Sequence, residues 1–537
     1  MYRNNFTSFK AINSWLTIYD SAIELFRTEG YHQTSVRMIA RKANCSVGLF
    51  HRYFSSKEEI VLALYEKLSN QLEERLVELP KGTMAQRFTC LMHVKFELIL
   101  PYEKTFGSIL GFMLDPNHPI GGSSRETEVI RLRNITTFRA LVNGSKDKPK
   151  SRKKVAQVSK TLYGLHFLLI FLWLFDKKAE KQDALDTLAT VEGYLKRLHH
   201  KLNPLSNYFN GTLEKTFSSV LNIEMIQSES ELSRKILQLV FHHRKVIQGE
   251  EACLKNPCEK CHTLHLSRID YFIRQKQPIH FVLPAFPAKS PNADKVLGKL
   301  PDLGEEIALT TLQGICNKIQ DIYAPGASIS ICADGRVFSD LVQVSDGDVS
   351  AYTKQLKRMI KENDLSSLNV LNLEDLIKVD DFDQARTDLV QRYAQPLDYF
   401  ETRKKDNDYY QKLFNGTHRF ILEDQKDLFP EMSKTQFKNH SKVIATKVMQ
   451  RSDAWGSIIN DFFPYSLRLS IHPHHPHAVK IGINLTKAAD NWITPWHGVV
   501  ILKPEEGYVL AKKSEAVELG AELVYKDEQP HYYALHG

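Results

Sequence analysis

The run IHFVLPAFPAKSPNADKVLGKLPDLGE, residues 279–305, joins two textures. Ile279 to Leu283 is apolar and of strand length. The remainder packs four prolines and two glycines into a segment with little helical or alternating character. A short apolar strand that empties into an irregular loop is the pattern of an open α/β sheet, whose ligands lie beyond the carboxyl ends of strands. That places Lys289, Ser290, Asn292 and Lys295 where a ligand would lie. Two ammonium groups, a hydroxyl and an amide are the donors a phosphate needs. The loop is no Walker A motif, because GxxxxGK[ST] is absent.

Working outward, the same alternation continues. SISIC (328–332), LRLSI (467–471), VKIGINL (479–485), GVVIL (498–502) and YVLAKK (508–513) read as strands. EIALTTLQGICNKIQDIY and SAYTKQLKRMIKEN read as helices between the earlier ones. The C-terminal half is therefore predicted to be α/β, Rossmann-like with a mixed sheet, and to end in a β-rich tail from about residue 465. KPEEG marks a hairpin. Three more clusters fall at strand ends. CADGRVFSD supplies Arg336 with Asp334 and Asp340. RLSIHPHHPHAVKIGINL supplies Arg468, His472, His474 and Lys480. TPWHGVV supplies Trp496 and His497. Each group singly also fits an ordinary loop or surface position; together they compose a basic pocket with groups for proton transfer.

The N-terminal half has a different period. Ile18, Ala22, Leu25 and Phe26 recur at helical spacing, and Gly30 ends that helix. In TSVRMIARKANCSVGLFHRYFSSKEEI, residues 34–60, Ser35, Ser46 and Ser56 are N-caps and Asn44 suits a tight turn. Two short helices about such a turn form a helix-turn-helix, although a plain helical hairpin has the same pattern. Residues 66–200 carry helical periods and no strand signal. LYGLHFLLIFLWLF, residues 162–175, is too short to span a bilayer and is expected to be a buried helix. SKDKPKSRKK (145–154) reads as a solvated loop, and NPLSNYFNGT (203–212) as linker. The expected domains are 1–65 (helix-turn-helix), 66–202 (helical), 203–224 (linker) and 225–537 (α/β).

The 537 residues exceed one core. A net charge of +8, from 71 basic against 63 acidic residues, argues weakly for a nucleic-acid partner unless a motif concentrates it. MYRNNFTSFK has no apolar leader, and the seven cysteines are expected to be free thiols or metal ligands in a cytoplasmic protein with no membrane partner. Cys253, Cys258 and Cys261 with His265 (or His262) would suit a tetrahedral structural zinc; a cysteine-rich turn before a helix fits as well.

GYHQTSVRMIARKANCSVGLFHRYFSSKEEI resembles the DNA-binding head of TetR-type repressors, with Gly30-Tyr31, Thr34-Ser35, Ile39-Ala40, Ala43, Ser46, Gly48, Tyr53-Phe54 and Ser56-Lys57 in register. The resemblance implies an all-α half with a helical ligand-sensing and dimerising domain, the 162–175 helix being a candidate dimer helix. It implies a homodimer on a palindromic DNA operator, touched by Ser35, Val47, Gly48, His51, Tyr53 and Lys57. His51 replaces the family's common tyrosine, and Asn44 its turn glycine.

Over roughly 240–537, PAFPAKSPNADKVLGKLPDLGE, ADGRVFSDLVQVSD, RLSIHPH…KIGINL and TPWHGVV resemble the isonitrile synthases of the pyoverdine/dityrosine biosynthesis family. The resemblance implies that an aromatic L-amino acid, tyrosine or tryptophan, reacts through its α-amino group with ribulose 5-phosphate, whose carbonyl carbon becomes the isonitrile carbon. No cofactor is required. On this expectation Lys289, Ser290, Lys295 and Arg336 bind anions, with Asn292, Arg468 and Lys480 as further substrate contacts. Glu305, Asp340, His472 and His497 transfer protons, and Trp496 stacks on the aromatic ring. A lysine forming a Schiff base with the sugar is an alternative. The rival reading is a regulator whose synthase-like half only senses an amino acid or sugar phosphate.

Overall fold

The computed structural model describes residues 9–115, 118–122, 124, 126–198, 231–377, 381–488, 490 and 492–535. The expected linker, 203–224, lies outside them. The chain divides into two compact units: residues 1–229 with 259–267, and residues 230–258 with 268–537.

The first unit is helical. Its described helices are α1 (Phe9–Thr28), α2 (Val36–Lys42), α3 (Val47–Tyr53), α4 (Lys57–Glu74), α5 (Met84–Ile99), α6 (Glu103–Leu114), α7 (Glu128–Asn143), α8 (Arg152–Phe175) and α9 (Gln182–Leu198). Ser35 Oγ accepts from Met38 N at 3.3 Å and Ser46 Oγ from Leu49 N at 3.0 Å, so both short helices start where their caps stand. Asn44 turns the chain between them with φ 49°. Ile39, Phe50 and Phe54 are buried in one core with Trp15, Phe26 and Tyr31.

The reading of 162–175 as a buried helix too short to cross a membrane needs correction. Helix α8 runs 24 residues, and by length and composition it is apolar enough to span. Leu162, Tyr163, His166, Leu169, Ile170 and Trp173 are buried, and α8 packs against α7 and α9. Leu165 and Leu168 are only half-buried on another stripe, where Leu172 is 45% and Phe175 59% exposed. The apolar run is long because it serves two faces.

The second unit is built on a five-stranded sheet, with β1 (Ile279–Pro284), β2 (Ala327–Cys332), β3 (Leu368–Leu371), β4 (Leu467–Ser470) and β5 (Lys480–Gly482) in the order β3-β2-β1-β4-β5. Every pairing in it is parallel. The mixed pairing expected of this sheet occurs instead in the tail. There β6 (Val499–Lys503), β7 (Gly507–Ala511), β8 (Glu522–Lys526) and β9 (Gln529–Ala534) stand in the order β7-β6-β9-β8. β6 is antiparallel to β7 and parallel to β9. The division follows from the connections. Long crossovers separate the strands of the first sheet, whereas β6–β7 and β8–β9 are tight hairpins. The predicted KPEEG hairpin is the first of these.

From β1 the chain builds outward through β2 to β3, then returns to lay β4 on the other side of β1. The switch point is the crevice between the carboxyl ends of β1 and β4. The return from β3 carries the helices Leu373–Leu376, Phe382–Tyr393, Leu397–Asp406, Asp408–Asp424 and Lys434–Phe462.

Candidate active site

Three segments meet at the switch point. The loop after β2 passes so close to the loop after β1 that a Cβ on Gly335 would stand 1.6 Å from Pro287 O. On the other side Lys245 N donates to Gly482 O at 2.8 Å, and a Cβ on Gly482 would stand 2.5 Å from His472 O. Only glycine permits these approaches. A small pocket open to solvent lies here, lined in part by Lys245, Asn484, Asp490 and Thr494.

The cleft is cationic. Burial pulls the Lys245 ammonium down to about 8. His472 is solvent-accessible yet crowded by protein, as a group lining a cleft is, and this desolvation pulls its imidazole down to about 4. The positive charges of Lys245, His497 and Lys480 act in the same direction. His474 is pulled down to about 3 by burial and by Lys480, His472 and Lys245. Lys245, Lys480, His472, His474 and His497 therefore share one field, and His472 and His474 are neutral at neutral pH.

A carboxylate faces this group. Asp424, buried at the end of the helix Asp408–Asp424, accepts from Ser290 Oγ at 3.0 Å and Lys295 Nζ at 2.6 Å. It lies 3.4 Å from His497 Nε2. Burial would raise its carboxyl, but His497 and Lys295 outweigh burial and hold it below the usual range. Thr494 Oγ1 and His497 Nδ1 are 3.0 Å apart, which orients the ring. At the end of β2, burial pushes Asp334 up to about 7, and its Oδ1 has no hydrogen-bond partner. A carboxyl poised there can take or give a proton.

Of the residues singled out in sequence, the structure brings Ser290, Lys295, Asp334, His472, His474, Lys480 and His497 to this region. Others are engaged elsewhere. Lys289 is buried and donates to Asp302 at 2.7 Å, Glu305 at 2.8 Å and Pro495 O at 2.9 Å. Glu305 also accepts from Tyr352 Oη at 3.0 Å. All three ammonium donors of Lys289 are committed, so the expected anion anchor is the centre of a buried ion cluster, and Glu305 is part of it. Arg336 is buried against Asp346 at 2.8 Å and Glu374 at 3.5 Å, with its guanidinium 3.6 Å from the Phe382 ring centre. Asp340 is paired with Arg451, and Arg468 donates to Gly456 O and Asn460 on the helix Lys434–Phe462. Asn292 is half-buried and bonds Glu423 O. Trp496, 1% exposed, packs on Phe286 at 5.1 Å between ring centres; it cannot receive a substrate ring from there. Trp492, 65% exposed and 6.2 Å from His472 between ring centres, is an exposed aromatic group beside the cleft. The reading from sequence missed Lys245, Asp424 and Trp492.

The cysteine cluster also changes membership. Ligating atoms of Cys253, Cys258, Cys261 and His477 all lie within 4.8 Å of one another. His477 takes the place given to His265. Cys258 caps the helix Glu259–Gln275 and Cys261 lies in its first turn, whereas His265 is one turn further on, about 6 Å along the axis.

On the head, Gly48 and His51 are exposed and Val47 is 39% exposed, so the outer face of α3 is open. Arg37, Arg41 and Arg52 are exposed alongside. Lys57 departs from the expected phosphate contact. Its ammonium bonds Tyr31 O at 2.8 Å and Thr34 O at 3.2 Å and sits 4.1 Å from the Tyr31 ring centre, bracing α4 against the turn between α1 and α2. Ser35 is occupied as a cap, and Tyr53 packs half-buried on the core.

Comparison with known proteins places both halves. Residues 269–524 match the family described as pyoverdine/dityrosine biosynthesis protein, and residues 18–64 match the bacterial regulatory proteins of the tetR family. An L-tryptophan isonitrile synthase of Fischerella ambigua is 44% identical over 303 residues, covering 56% of this chain and 92% of that one. An L-tyrosine isonitrile synthase of Pseudomonas aeruginosa is 40% identical, covering 57% and 95%. The crystal structure of PvcA from the same organism superposes with a TM-score of 0.52, covering 57% of this chain and 99% of that one at 40% identity. The chain belongs to the isonitrile synthases of the pyoverdine/dityrosine biosynthesis family and carries a TetR-family domain at residues 18–64 ahead of the synthase region.

Proposed function

We propose that the chain converts the α-amino group of L-tryptophan or L-tyrosine into an isonitrile, with ribulose 5-phosphate supplying the carbon. The observation that carries this reading is the joining of fixed cations and perturbed proton-transfer groups at one switch point. Amine attack on a ketone expels water, and the later bond cleavages move further protons. Neutral His472, the Asp424–His497 pair and Asp334 are suited to those transfers. Lys480 and Lys295 supply charge for the phosphate and the amino-acid carboxylate, and Trp492 offers a stacking face for the aromatic ring. A pure sensor would need the cations but not the perturbed acids and bases. Incubation with each aromatic amino acid and ribulose 5-phosphate should give a product with the mass of the isonitrile; ligand binding with no turnover of any pair would establish the sensor instead.

The head is a DNA reader on this proposal, acting as a homodimer in the cytoplasm on a palindromic operator. The open stripe Leu165, Leu168, Leu172 and Phe175 of α8 is the dimer face. Operator affinity should fall roughly 10³-fold between 50 and 200 mM salt. Arg52→Ala should weaken binding to all sequences, and Leu172→Glu with Phe175→Glu should give monomers by sedimentation that no longer bind. Dimers surviving the double substitution would place the interface elsewhere. Residues 225–537 are proposed to act as an autonomous synthase. Expressed alone, they should match the intact chain in kcat within about twofold; a soluble but inactive fragment would show that the halves are coupled.

A further inference from the structure

We propose that Cys253, Cys258, Cys261 and His477 hold a structural zinc ion that clamps the loop bearing His472. Tetrahedral zinc with Zn–S of about 2.3 Å and Zn–N of about 2.0 Å sets ligand edges of about 3.8 Å between sulfurs and about 3.5 Å between sulfur and nitrogen. Cys258 Sγ lies 3.9 Å from Cys253 Sγ and 3.3 Å from His477 Nε2. The first distance is far beyond the roughly 2.05 Å of a disulfide, and none of these cysteines is joined in a disulfide. Cys261 is buried and the other three are half-buried, so the ligands form a closed pocket and not a surface patch. Three thiolates and one imidazole make a closed set with no position left for water or substrate, which is the composition of a structural site.

The position explains what the ion would do. His477 ends the HPHHPH run that begins at His472 and follows β4. Near its middle, the run is tied to the segment after Lys245 by the Ile247 N bond to His474 O at 3.2 Å. His474 also contacts Ser470 Oγ at 2.9 Å. Zinc at His477 fastens the far end to the Cys253–Cys261 segment. The loop is then held on both sides of His474, and His472 is kept at the cleft. The His-rich run has one member facing the cleft and another facing the metal.

The test uses the intact chain, purified under reductant from zinc-supplemented cells and dialysed. Mass spectrometry of the metal should find one zinc ion per chain, and His265→Ala should keep it. His477→Ala should lose most of it and melt at a lower temperature. Because a variant can fail by misfolding, the native protein is also exchanged with cobalt. Thiolate-to-cobalt charge transfer with tetrahedral d–d bands is expected of the native protein, and both should weaken in a folded His477→Ala protein, as its zinc content does. Absence of zinc and cobalt from the folded native chain would overturn the site. Full zinc in His477→Ala, with loss in His265→Ala, would overturn the fourth ligand and the clamp.

Discussion

Lys289→Ala should cost the synthase unit about 3–5 kcal/mol of stability, because it removes one partner of a buried ion cluster and leaves the others uncompensated. Asp302 and Glu305 would keep their burial and lose their cation; Pro495 O would lose its donor. For a unit of this size the melting transition should drop on the order of 10 °C. Replacing all three groups at once, as Lys289→Met with Asp302→Asn and Glu305→Gln, should recover most of the loss, since a neutral cluster of similar volume carries no desolvated charge. The competing expectation, that Lys289 anchors the sugar phosphate, predicts a stable Lys289→Ala protein with ribulose 5-phosphate affinity reduced 10- to 150-fold, about 1.5–3 kcal/mol for a charged hydrogen bond. Calorimetry with a substrate titration separates the two.

The pH dependence gives the same cluster a sign. Burial would lower the Lys289 ammonium, but Asp302 and Glu305 outweigh it and raise its pKa, so the lysine stays charged. Burial pushes Asp302 up to about 7, against about 4 in the unfolded chain. A carboxyl raised in the fold contributes stability that is complete below its unfolded value and lost as pH rises through its folded value. For Asp302 that window is about pH 4 to 7. Without Lys289 the Asp302 carboxyl favours its protonated form still more, so the Lys289→Ala deficit should be widest near pH 8 and narrow toward pH 5.

What the sequence made legible was what short range fixes. The serine caps of α2 and α3, the turn at Asn44 and the apolar strands β1, β2, β4, β5, β6 and β7 all follow from local composition. β3 is four residues between helices, too short to show a period. The β8–β9 hairpin turns on Asp527 and Glu528, both with positive φ, and so lacks the Asn-Gly or Asp-Gly signal. The site was legible as a set of loops, not as a set of charges. Lys289 and Arg336 sit in the loops named for them, but partners that neutralise them, Asp302 and Asp346, can be paired only after folding. Asp424 and Lys245 carry no motif and arrive from outside the loops. His477 was hidden in a run of equivalent-looking histidines. Burial and pairing, across 13 residues for Lys289 with Asp302 and 134 for Ser290 with Asp424, decide these roles, and neither is written in spacing.

Lys245 is where that long-range assembly bears most directly on turnover. Lys245→Ala should lower kcat by roughly 10²–10⁴-fold, the range lost when a positioned proton-transfer group is removed. The ground is its environment: burial at the edge of the pocket, the neighbouring charges felt by His472, and an ammonium pulled down to about 8. At that value a substantial fraction is neutral amine under working conditions, whereas an ordinary lysine near 10.4 is almost wholly charged. A neutral amine can accept the proton released as the amino acid attacks the ketone, or form a Schiff base with the sugar itself. An anion anchor, by contrast, needs permanent charge. Lys245→Arg decides between these. Arginine keeps the charge and cannot deprotonate, so as a proton acceptor or nucleophile it should be as inactive as alanine, while as an anchor it should restore much of the activity. The pH profile is a second readout. With Lys245 acting as the amine, kcat/KM of the native enzyme rises through about pH 8, and that limb disappears in both variants. Borohydride trapping with ribulose 5-phosphate then divides the two amine roles: a reduced adduct on Lys245 marks the Schiff base, and its absence alongside the lost limb marks the proton acceptor. Restored turnover in Lys245→Arg would defeat both and make Lys245 a binding residue.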